Sequence, residues 1–254
     1  MNRACEEFNR LVEILDRLRG KDGCPWDKEQ TSNSLLPYLL EETYEVMEAV
    51  EENDIEALKE ELGDLMLHAL FQAHIAKENG QFEIADSLQH ISDKLIKRHP
   101  NVFGGEEVLE ELSWESAKQK EKNRANFLDG VPKSLPALTR ARRIQEKAAD
   151  VGFDWTEIEP IIGKVNEEID ELKEAMETRD IDKIEDELGD AIFSIVNLGR
   201  FYNLSSEQAL RRTIKKFETR FSAIEKELKK RGVSLDDASL EEMDEIWEAQ
   251  KSSE

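Results

Sequence analysis

Acidic side chains at helical spacing are the residues of this chain best suited to carry chemistry. Glu42 and Glu45 are three residues apart, and Glu61 and Asp64 follow with the same spacing. Residues three or four apart share one face of an α-helix, so each pair projects from its helix together. If the two helices pair as an antiparallel hairpin, the four carboxylates converge.

Converging carboxylates need compensation for their negative charge. In a partly desolvated site their repulsion is on the order of several kcal/mol unless protons, basic groups or divalent cations offset it. Oxygen ligands without His or Cys favour hard ions, so the pattern predicts a site for Mg²⁺, with Mn²⁺ as a possible substitute. A metal held in this way bridges protein oxygens to phosphate oxygens, which predicts a phosphate ligand.

The same acidic pattern occurs a second time further along the chain. Its members are Glu168, Glu171, Glu187 and Asp190, each 126 positions after its counterpart (168 − 42 and 190 − 64). Two motifs that keep one offset with no gap between them indicate an internal duplication. A solvated acidic surface is the alternative for a single motif, and the duplication argues against it.

Basic and aromatic residues follow each acidic stretch. The basic pairs are Lys94 with Arg98 and Lys216 with Arg220, both at i,i+4 spacing. Each pair forms one basic helix face, which is either a solvated stripe or a clamp for distal phosphates in which Arg makes bidentate contacts. Trp114 and Trp247 come after the pairs. A Trp ring can stack on a nucleobase, although a lone Trp more often lies in a core.

The periodicity of apolar residues between these motifs is helical, and no stretch shows the alternation of a strand. Helices are predicted over residues 35–50, 55–77, 81–98, 135–150, 165–177, 181–202 and 206–231. We therefore expect an all-α protein with two tandem helical repeats. Two-helix hairpins with one apolar face need a partner, so we expect four-helix-bundle-like modules that dimerisation completes.

A stretch rich in Asn, Asp, Gly and Pro separates the repeats and marks a domain boundary. The predicted division is a first domain over residues 1–125, a linker over 126–134 and a second domain over 135–254.

The charge balance excludes several functions. The 254 residues include 58 acidic and 35 basic side chains, a formal net charge of −23. Such a chain is a poor ligand for nucleic acids or anionic membranes. The first fifteen residues do not resemble a signal peptide, and the most apolar stretch is too short to span a bilayer. Two cysteines do not make a disulfide framework, so we expect a cytoplasmic protein.

Taken together, these motifs resemble the MazG family of nucleoside triphosphate pyrophosphohydrolases. The resemblance rests on the tandem acidic motifs and on the segment Gly23-Cys24-Pro25-Trp26-Asp27 ahead of the first copy, and it covers nearly the whole chain. It implies an α-helical homodimer that binds nucleoside triphosphates. It also implies Mg²⁺-dependent hydrolysis of NTPs or dNTPs to the monophosphate and pyrophosphate. Stacking on a Trp accepts any base, so we expect broad base specificity.

The resemblance also implies roles for individual residues of the second repeat. The resemblance implies that Glu168, Glu171, Glu187 and Asp190 bind the metal and take part in catalysis. It implies that Glu167 acts as a base or orients a group bound to the metal. Nucleotide contacts fall to Lys164, Glu167, Glu168, Lys183, Lys216, Arg220 and Trp247. The first repeat retains the acids and the possible phosphate contacts Lys94 and Arg98. At the same offset it has Tyr38 and Ala57 opposite Lys164 and Lys183, so we expect it to be the weaker site.

Two other functions fit parts of the pattern. One is a non-catalytic, metal-binding helical dimer that binds a protein partner, and a regulatory partner is also possible for the enzyme. The other is a di-iron carboxylate bundle, a class that requires Glu-x2-His on its helices. His68 follows Asp64 by four residues rather than three, which disfavours the di-iron site and favours a core or supporting histidine.

Overall fold

A computed structural model describes residues 2–104 and 126–252, and the regular structure in these ranges is entirely helical. The earlier helices are α1 (Arg3–Arg19), α2 (Pro25–Glu29), α3 (Leu36–Glu52), α4 (Ile55–Glu78), α5 (Ile84–Arg98) and α6 (Pro100–Phe103). The later helices are α7 (Ala137–Ala149), α8 (Ile158–Thr178), α9 (Ile181–Phe201), α10 (Ser206–Arg231) and α11 (Leu240–Lys251). The predicted all-α class is confirmed. None of the described helices is both long and apolar enough to cross a lipid bilayer.

The chain divides into two compact units, one containing α1 to α6 and the other α7 to α11. Residues of the predicted linker pack on the second unit: the Phe127 carbonyl accepts a hydrogen bond of 2.8 Å from the buried Lys147 ammonium. The same ammonium lies 4.9 Å from the centre of the Phe127 ring. The segment that precedes α7 therefore contributes to the packing of the second unit.

The turn between the two acid-bearing helices is the same in both repeats. Asn53 ends α3 and Arg179 ends α8, and both have the left-handed backbone (φ 57° and 58°). The next residue, Asp54 or Asp180, occupies the N-cap of the following helix, and the Asp54 carboxylate accepts two backbone N–H bonds there. Such a one-residue reversal brings α4 back against α3 and α9 back against α8. The duplicated sequence thus folds into a duplicated helical hairpin.

Some helix ends differ from the prediction. α8 begins at Ile158, seven residues before the predicted start. Pro160 lies in the first turn of α8, where a proline is tolerated because the backbone N–H groups there have no intrahelical partner. Helices α1, α2, α6 and α11 lie beyond the predicted segments, and α6 falls where the sequence predicted a loop. Trp114 lies outside the described residues.

Each unit has its own hydrophobic core. In the first unit the buried core residues are Leu15, Leu35, Leu70, Phe71 and Ile75, contributed by α1, the residue before α3, and α4. In the second unit α10 packs on α11 through Ile224, Leu228 and Ile246, with Trp247 at the edge of this cluster. In the first unit this buried apolar surface includes the second half of α4 and so holds one end of the acid-bearing hairpin in place.

A buried arginine connects three helices of the first unit. The almost fully buried Arg19 guanidinium forms an ion pair with Glu78 at 2.6 Å and donates to the backbone carbonyls of Asp27 and Gln30. It also lies 5.5 Å from the centre of the Phe71 ring. One side chain therefore joins α1, α2 and α4, which explains how a short polar segment such as α2 is held on the unit.

Candidate functional site

Carboxylates from α8 and α9 converge in the second unit. Oxygen atoms of Glu168, Glu171 and Glu187 all lie within 4.8 Å of one another. Glu168 and Glu171 are neighbours on α8, and the hairpin turn at Arg179 brings Glu187 on α9 beside them. The convergence predicted from helical spacing is therefore present for these three acids. Glu168 is the most enclosed, with 6% of its surface exposed.

One lysine neutralises part of this cluster. The Lys164 ammonium lies 2.8 Å from a carboxylate oxygen of Glu167 and 2.8 Å from one of Glu168. These hydrogen bonds raise the pKa of Lys164 above its usual value, so it remains a cation. Loss of solvent and the charge of Glu168 raise the pKa of Glu171, so the compensation by Lys164 is incomplete. The cluster can accept further positive charge.

The first unit repeats the acidic convergence. Oxygen atoms of Glu42, Glu45 and Glu61 lie within 4.8 Å of one another, supplied by α3 and α4. Burial, followed by the charges of Asp64 and Glu45, raises the pKa of Glu42 from 4.5 to about 7. Burial and the neighbouring Glu45 charge also raise the pKa of Glu61.

Aromatic groups occupy the place of the lysine in the first unit. Tyr38, at the position equivalent to Lys164, stacks on His68 with ring centres 6.5 Å apart, and Trp26 meets Tyr38 edge-on at 6.1 Å. His68 Nε2 lies 3.9 Å from Glu42. Burial lowers the pKa of His68, so this ring is neutral at neutral pH and does not replace the lysine charge. The histidine thus lies beside the cluster as a supporting group.

The fourth acid of each repeat lies beside its cluster. Asp64 is close enough for its charge to raise the pKa values of Glu42 and Glu61. Asp190 lines the same cavity as Glu168 and Lys164. Both aspartates are therefore within reach of a ligand held by the three glutamates.

The other predicted nucleotide contacts lie on other helices. Lys216 and Arg220 lie on α10, and the Arg220 guanidinium is 5.3 Å from the centre of the Trp247 ring on α11. Phe217 packs against the same Trp at 5.2 Å. Lys183 is exposed in the first turns of α9.

The corresponding basic residues of the first unit, Lys94 and Arg98, are half-buried on α5, which packs against α4. The contacts described for Trp247 are those of a packed ring, in agreement with the core alternative.

Sequence reasoning missed a cavity of about 390 Å³ in the second unit. Glu168 and Asp190 line it at the acidic cluster, and Phe153, Trp155 and Phe193 are among its apolar walls. The only signal in the sequence was the pair of aromatic residues within the Gly152–Trp155 loop, which has no helical periodicity of its own.

The donor sets of both clusters fit a hard divalent cation. Each offers carboxylate oxygens from two helices at mutual distances that one ion spans, and neither set contains a sulfur ligand. Burial first, and the charges of neighbouring acids second, raise the pKa values of Glu42, Glu61 and Glu171, so a bound cation would stabilise their charged forms. The fold and these sites define an all-α protein with two carboxylate clusters whose geometry suits a divalent cation.

Comparison with known proteins identifies the family. The profile of the MazG nucleotide pyrophosphohydrolase domain matches residues 30–103 and again residues 157–224. The chain is 45% identical over 246 residues to the nucleoside triphosphate pyrophosphohydrolase/pyrophosphatase MazG of Thermotoga maritima. The aligned region covers 96% of this chain and 95% of that protein. It is 44% identical over 258 residues to the nucleoside triphosphate pyrophosphohydrolase of Escherichia coli K12, with 98% of both chains covered. An uncharacterized Bacillus subtilis protein, YabN, is 45% identical over 98% of this chain and 52% of its own length.

The chain belongs to the MazG family, and each of the two matches contains one of the acid-bearing hairpins. The family expected from the sequence motifs is therefore confirmed, as is the occurrence of its domain twice.

Proposed function

We propose that this protein is a Mg²⁺-dependent nucleoside triphosphate pyrophosphohydrolase, with Mn²⁺ as a substitute ion. It cleaves an NTP or dNTP with water between the α- and β-phosphates, giving the monophosphate and pyrophosphate. The observation that carries the proposal is the convergence of Glu168, Glu171 and Glu187 next to the Lys164 ammonium. The names of the full-length relatives support the same activity.

The acidic residues of the second unit are suited to binding the cation and to accepting a proton. Glu168, Glu171, Glu187 and Asp190 would hold the cation, which supplies positive charge to the phosphates and lowers the pKa of a water molecule. Glu167 is exposed and adjacent to the cluster, so it is suited to take the proton of the attacking water. It shares Lys164 with Glu168 at 2.8 Å, which fixes its carboxylate beside the metal ligands.

Cations stabilise the charge that develops on the pyrophosphate group. Lys164 is the cation nearest the acids among the contacts described, and Lys183 lies two residues into the helix that carries Glu187. We retain Lys216 and Arg220 as phosphate contacts, and Trp247, whose side chain is only partly buried, as a nucleotide contact. Charge-assisted hydrogen bonds from such groups are worth about 1.5–3 kcal/mol each.

We propose that the protein acts as a homodimer. α9 exposes Leu188, Ile192 and Ile195, each with more than 40% of its surface accessible. Beside them, none of the other elements that the structure describes packs on Gly189. α4 repeats this surface with Leu62 and Met66. Apolar helix faces of this kind are covered by packing against another helix pair, which completes a four-helix module. A regulatory protein partner and a cytoplasmic location stay predictions.

We propose further that the second unit does most of the hydrolysis. Its acidic cluster is paired with Lys164, whereas the first cluster has Tyr38 and the neutral ring of His68. A nucleoside triphosphate brings several negative charges, so the site with the nearby cation binds it more strongly.

A matched pair of double variants tests the function and the ranking of the units. Glu187→Gln with Asp190→Asn removes two second-unit acids, and Glu61→Gln with Asp64→Asn makes the same changes in the first. Pyrophosphate release from mixed NTPs is measured with Mg²⁺ and with a chelator, and circular dichroism confirms that the helices are intact.

We expect the second-unit variant to lose activity by at least about a hundredfold, since it loses metal-ligating charge. The first-unit variant should lose less than half. Wild-type protein that releases no pyrophosphate with Mg²⁺ would refute the enzymatic function and favour the partner-binding alternative. Equal losses in the two variants would refute the ranking.

A further inference from the structure

One position beside the acidic clusters differs in kind between the two units. It is occupied by His68 on α4 in the first unit and by Ser194 on α9, 126 positions later (194 − 68), in the second. Both residues are buried, with 8% of their surfaces exposed. The Ser194 hydroxyl donates a 2.9 Å hydrogen bond to the Ala191 carbonyl of its own helix. The buried hydroxyl of the second unit is therefore satisfied within the protein.

The buried ring of His68 is not satisfied in this way. Its Nδ1 has no hydrogen-bond partner in the part of the chain that the structure describes. Its Nε2 lies 3.9 Å from a carboxylate oxygen of Glu42, which is longer than a hydrogen bond. Buried polar groups are nearly always hydrogen-bonded or bound to an ion or water, so this ring suits a group that the chain does not itself supply. Because Glu42 belongs to the acidic cluster, that group lies at the cluster.

Stacking fixes the direction of the imidazole ring. Tyr38 lies almost parallel to the His68 ring, with an angle of 12° between the planes and 6.5 Å between the centres. The lone pair of an imidazole nitrogen lies in the plane of the ring, so a stacked partner leaves it accessible. The edge of the ring that carries Nε2 is thereby held toward Glu42.

The segment around Trp26 supports this stack. Trp26 lies on α2 and meets the Tyr38 ring edge-on at 6.1 Å. The Arg19 guanidinium holds α2 by donating to two backbone carbonyls at its C-terminal end. A Cβ on Gly23, just before α2, would lie 2.0 Å from the carbonyl oxygen of Leu18, so only glycine permits this close approach. The conspicuous motif ahead of the first acidic cluster thus positions the aromatic rings that orient the histidine.

An imidazole ligand changes which metal ion a carboxylate cluster prefers. Mg²⁺ takes oxygen ligands, whereas first-row transition ions also accept imidazole, and their affinity for mixed sites rises from Mn²⁺ to Co²⁺. Bonds from carboxylate oxygen and imidazole nitrogen to such an ion are about 2.0–2.2 Å long, so one ion joins two atoms up to about 4.2 Å apart. The 3.9 Å between His68 Nε2 and Glu42 lies within this reach. All four histidines and both cysteines belong to the first unit, so the second unit offers neither an imidazole nor a thiolate.

We propose that the first unit binds a first-row transition ion such as Mn²⁺ or Co²⁺ in preference to Mg²⁺. The ligands are the three glutamates of its cluster together with Nε2 of His68. The second cluster, which has only oxygen ligands, takes Mg²⁺. The ion of the first unit also supplies the positive charge that Lys164 supplies in the second. This metal site goes beyond the proposed function, which requires an ion only in the second unit.

Pulsed electron paramagnetic resonance of bound Mn²⁺ detects a nitrogen ligand without any measurement of activity. Full-length protein is stripped with a chelator and loaded with one equivalent of Mn²⁺. Glu187→Gln with Asp190→Asn weakens the second cluster, so the ion occupies the first. Glu61→Gln with Asp64→Asn directs it to the second cluster instead. We expect the spin-echo modulation of a directly bound ¹⁴N atom in the first of these proteins and none in the other.

Substitutions of the histidine identify the ligand. In the background with a weakened second cluster, His68→Phe keeps a flat ring against Tyr38 and removes both nitrogens, and His68→Ser reproduces the residue of the second unit. His74→Gln is the matched control, because His74 lies on the same helix but contacts the carboxylates of Asp16 (3.1 Å) and Glu78 (3.2 Å). Calorimetry gives the affinities for Co²⁺ and for Mg²⁺.

Both His68 variants should lose the nitrogen modulation. Their affinity for Co²⁺ should fall by at least about tenfold, since loss of even an outer partner of a ligand costs about 10–100-fold. Their affinity for Mg²⁺ should stay within about threefold, because the oxygen ligands remain. His74→Gln should keep both the modulation and the Co²⁺ affinity.

Three results would overturn the proposal. They are absence of nitrogen modulation in the protein with an intact first cluster, modulation that persists in His68→Phe, and an equal ratio of Co²⁺ to Mg²⁺ affinity in the two units. The comparison of the two double variants leaves His68 in place, so it remains decisive if the His68 variants fail to fold. None of these measurements involves a nucleotide, so failure of the proposed function would appear separately, as absence of pyrophosphate release by the wild type.

Discussion

Neutralising one acid of the first unit should stabilise the metal-free protein. The change is Glu42→Gln, which keeps the shape of the side chain and removes its charge. The Glu42 carboxyl has a pKa of about 7, raised from 4.5 by burial and by the charges of Asp64 and Glu45. A raised carboxyl pKa means that the folded state binds the proton more strongly than the unfolded state. Stability is therefore lost as the pH rises from 4.5 through 7, because the folded protein must hold an unfavourable charge.

The size of the effect follows from the difference between the two pKa values. A change from 4.5 to about 7 corresponds to about 3 kcal/mol at a pH above both. The cluster is close to solvent, which screens part of this repulsion, so we expect Glu42→Gln to gain about 1–2 kcal/mol at pH 8. Below pH 4.5 the wild-type carboxyl is protonated in both states, and the gain should vanish.

The assay is urea unfolding followed by circular dichroism, at pH 8 and pH 4 with a chelator present. Midpoint differences between variants are compared, because a protein with two units need not unfold in a single step. Glu168→Gln in the second unit is the matched variant. Its carboxylate pairs with Lys164 at 2.8 Å, so neutralising it removes a favourable contact and should destabilise the protein.

Added Mg²⁺ provides the second half of the test. The wild type should be stabilised by the ion, since a ligand that binds only the folded state raises its stability, and Glu42→Gln should respond less. The reasoning is refuted if Glu42→Gln unfolds at lower urea than the wild type at pH 8, or if its gain is the same at pH 4. Stabilisation by Glu168→Gln would show that Lys164 does not distinguish the two clusters.

Three further outcomes are expected. The Arg19 guanidinium holds the pKa of Glu78 below its usual range, so Glu78→Gln should lower the stability of the protein at pH 7. The difference in urea midpoint between this variant and the wild type should disappear as the pH falls below the depressed pKa. Asp154→Asn should raise KM for NTPs severalfold with a smaller change in kcat, because Asp154 pairs with Arg200 and so holds the loop that lines the cavity beside the acidic cluster; steady-state kinetics decide. Sedimentation should report twice 29.3 kDa, and Ile192→Lys should shift the protein toward monomer.

The sequence was a good guide wherever a local rule determined the structure. Apolar residues at three- and four-residue spacing predicted α4, α9 and α10 to within a residue of their ends. The constant offset of 126 predicted the duplicated hairpin, and the left-handed residues Asn53 and Arg179 occupy equivalent turn positions. Helical spacing together with the turn was enough to expect that Glu168 and Glu171 would meet Glu187.

Features that depend on packing between distant segments could not be predicted in the same way. The cavity is formed by α7, α8, α9 and an irregular loop, and the hydrogen bond in its wall from the Gln145 amide to the Phe193 carbonyl joins residues 48 positions apart. Periodicity describes one helix at a time, so it identifies Gln145 only as a polar residue of α7. For the same reason, periodicity could not predict the surroundings of Trp247, because its neighbours Phe217 and Arg220 lie on another helix.

The two repeats show how duplicated helices come to carry different sites. The turn and the acidic triad are the same in both, so the difference lies in the residues that compensate the acids. In the second unit a lysine one turn before Glu168 supplies a permanent charge, whereas the first unit has an aromatic ring at that position and a buried, neutral histidine. The first cluster therefore depends more on a bound cation, or on a proton at Glu42, to relieve its repulsion. The difference between the two units therefore lies in the groups beside the acids and not in the acids themselves.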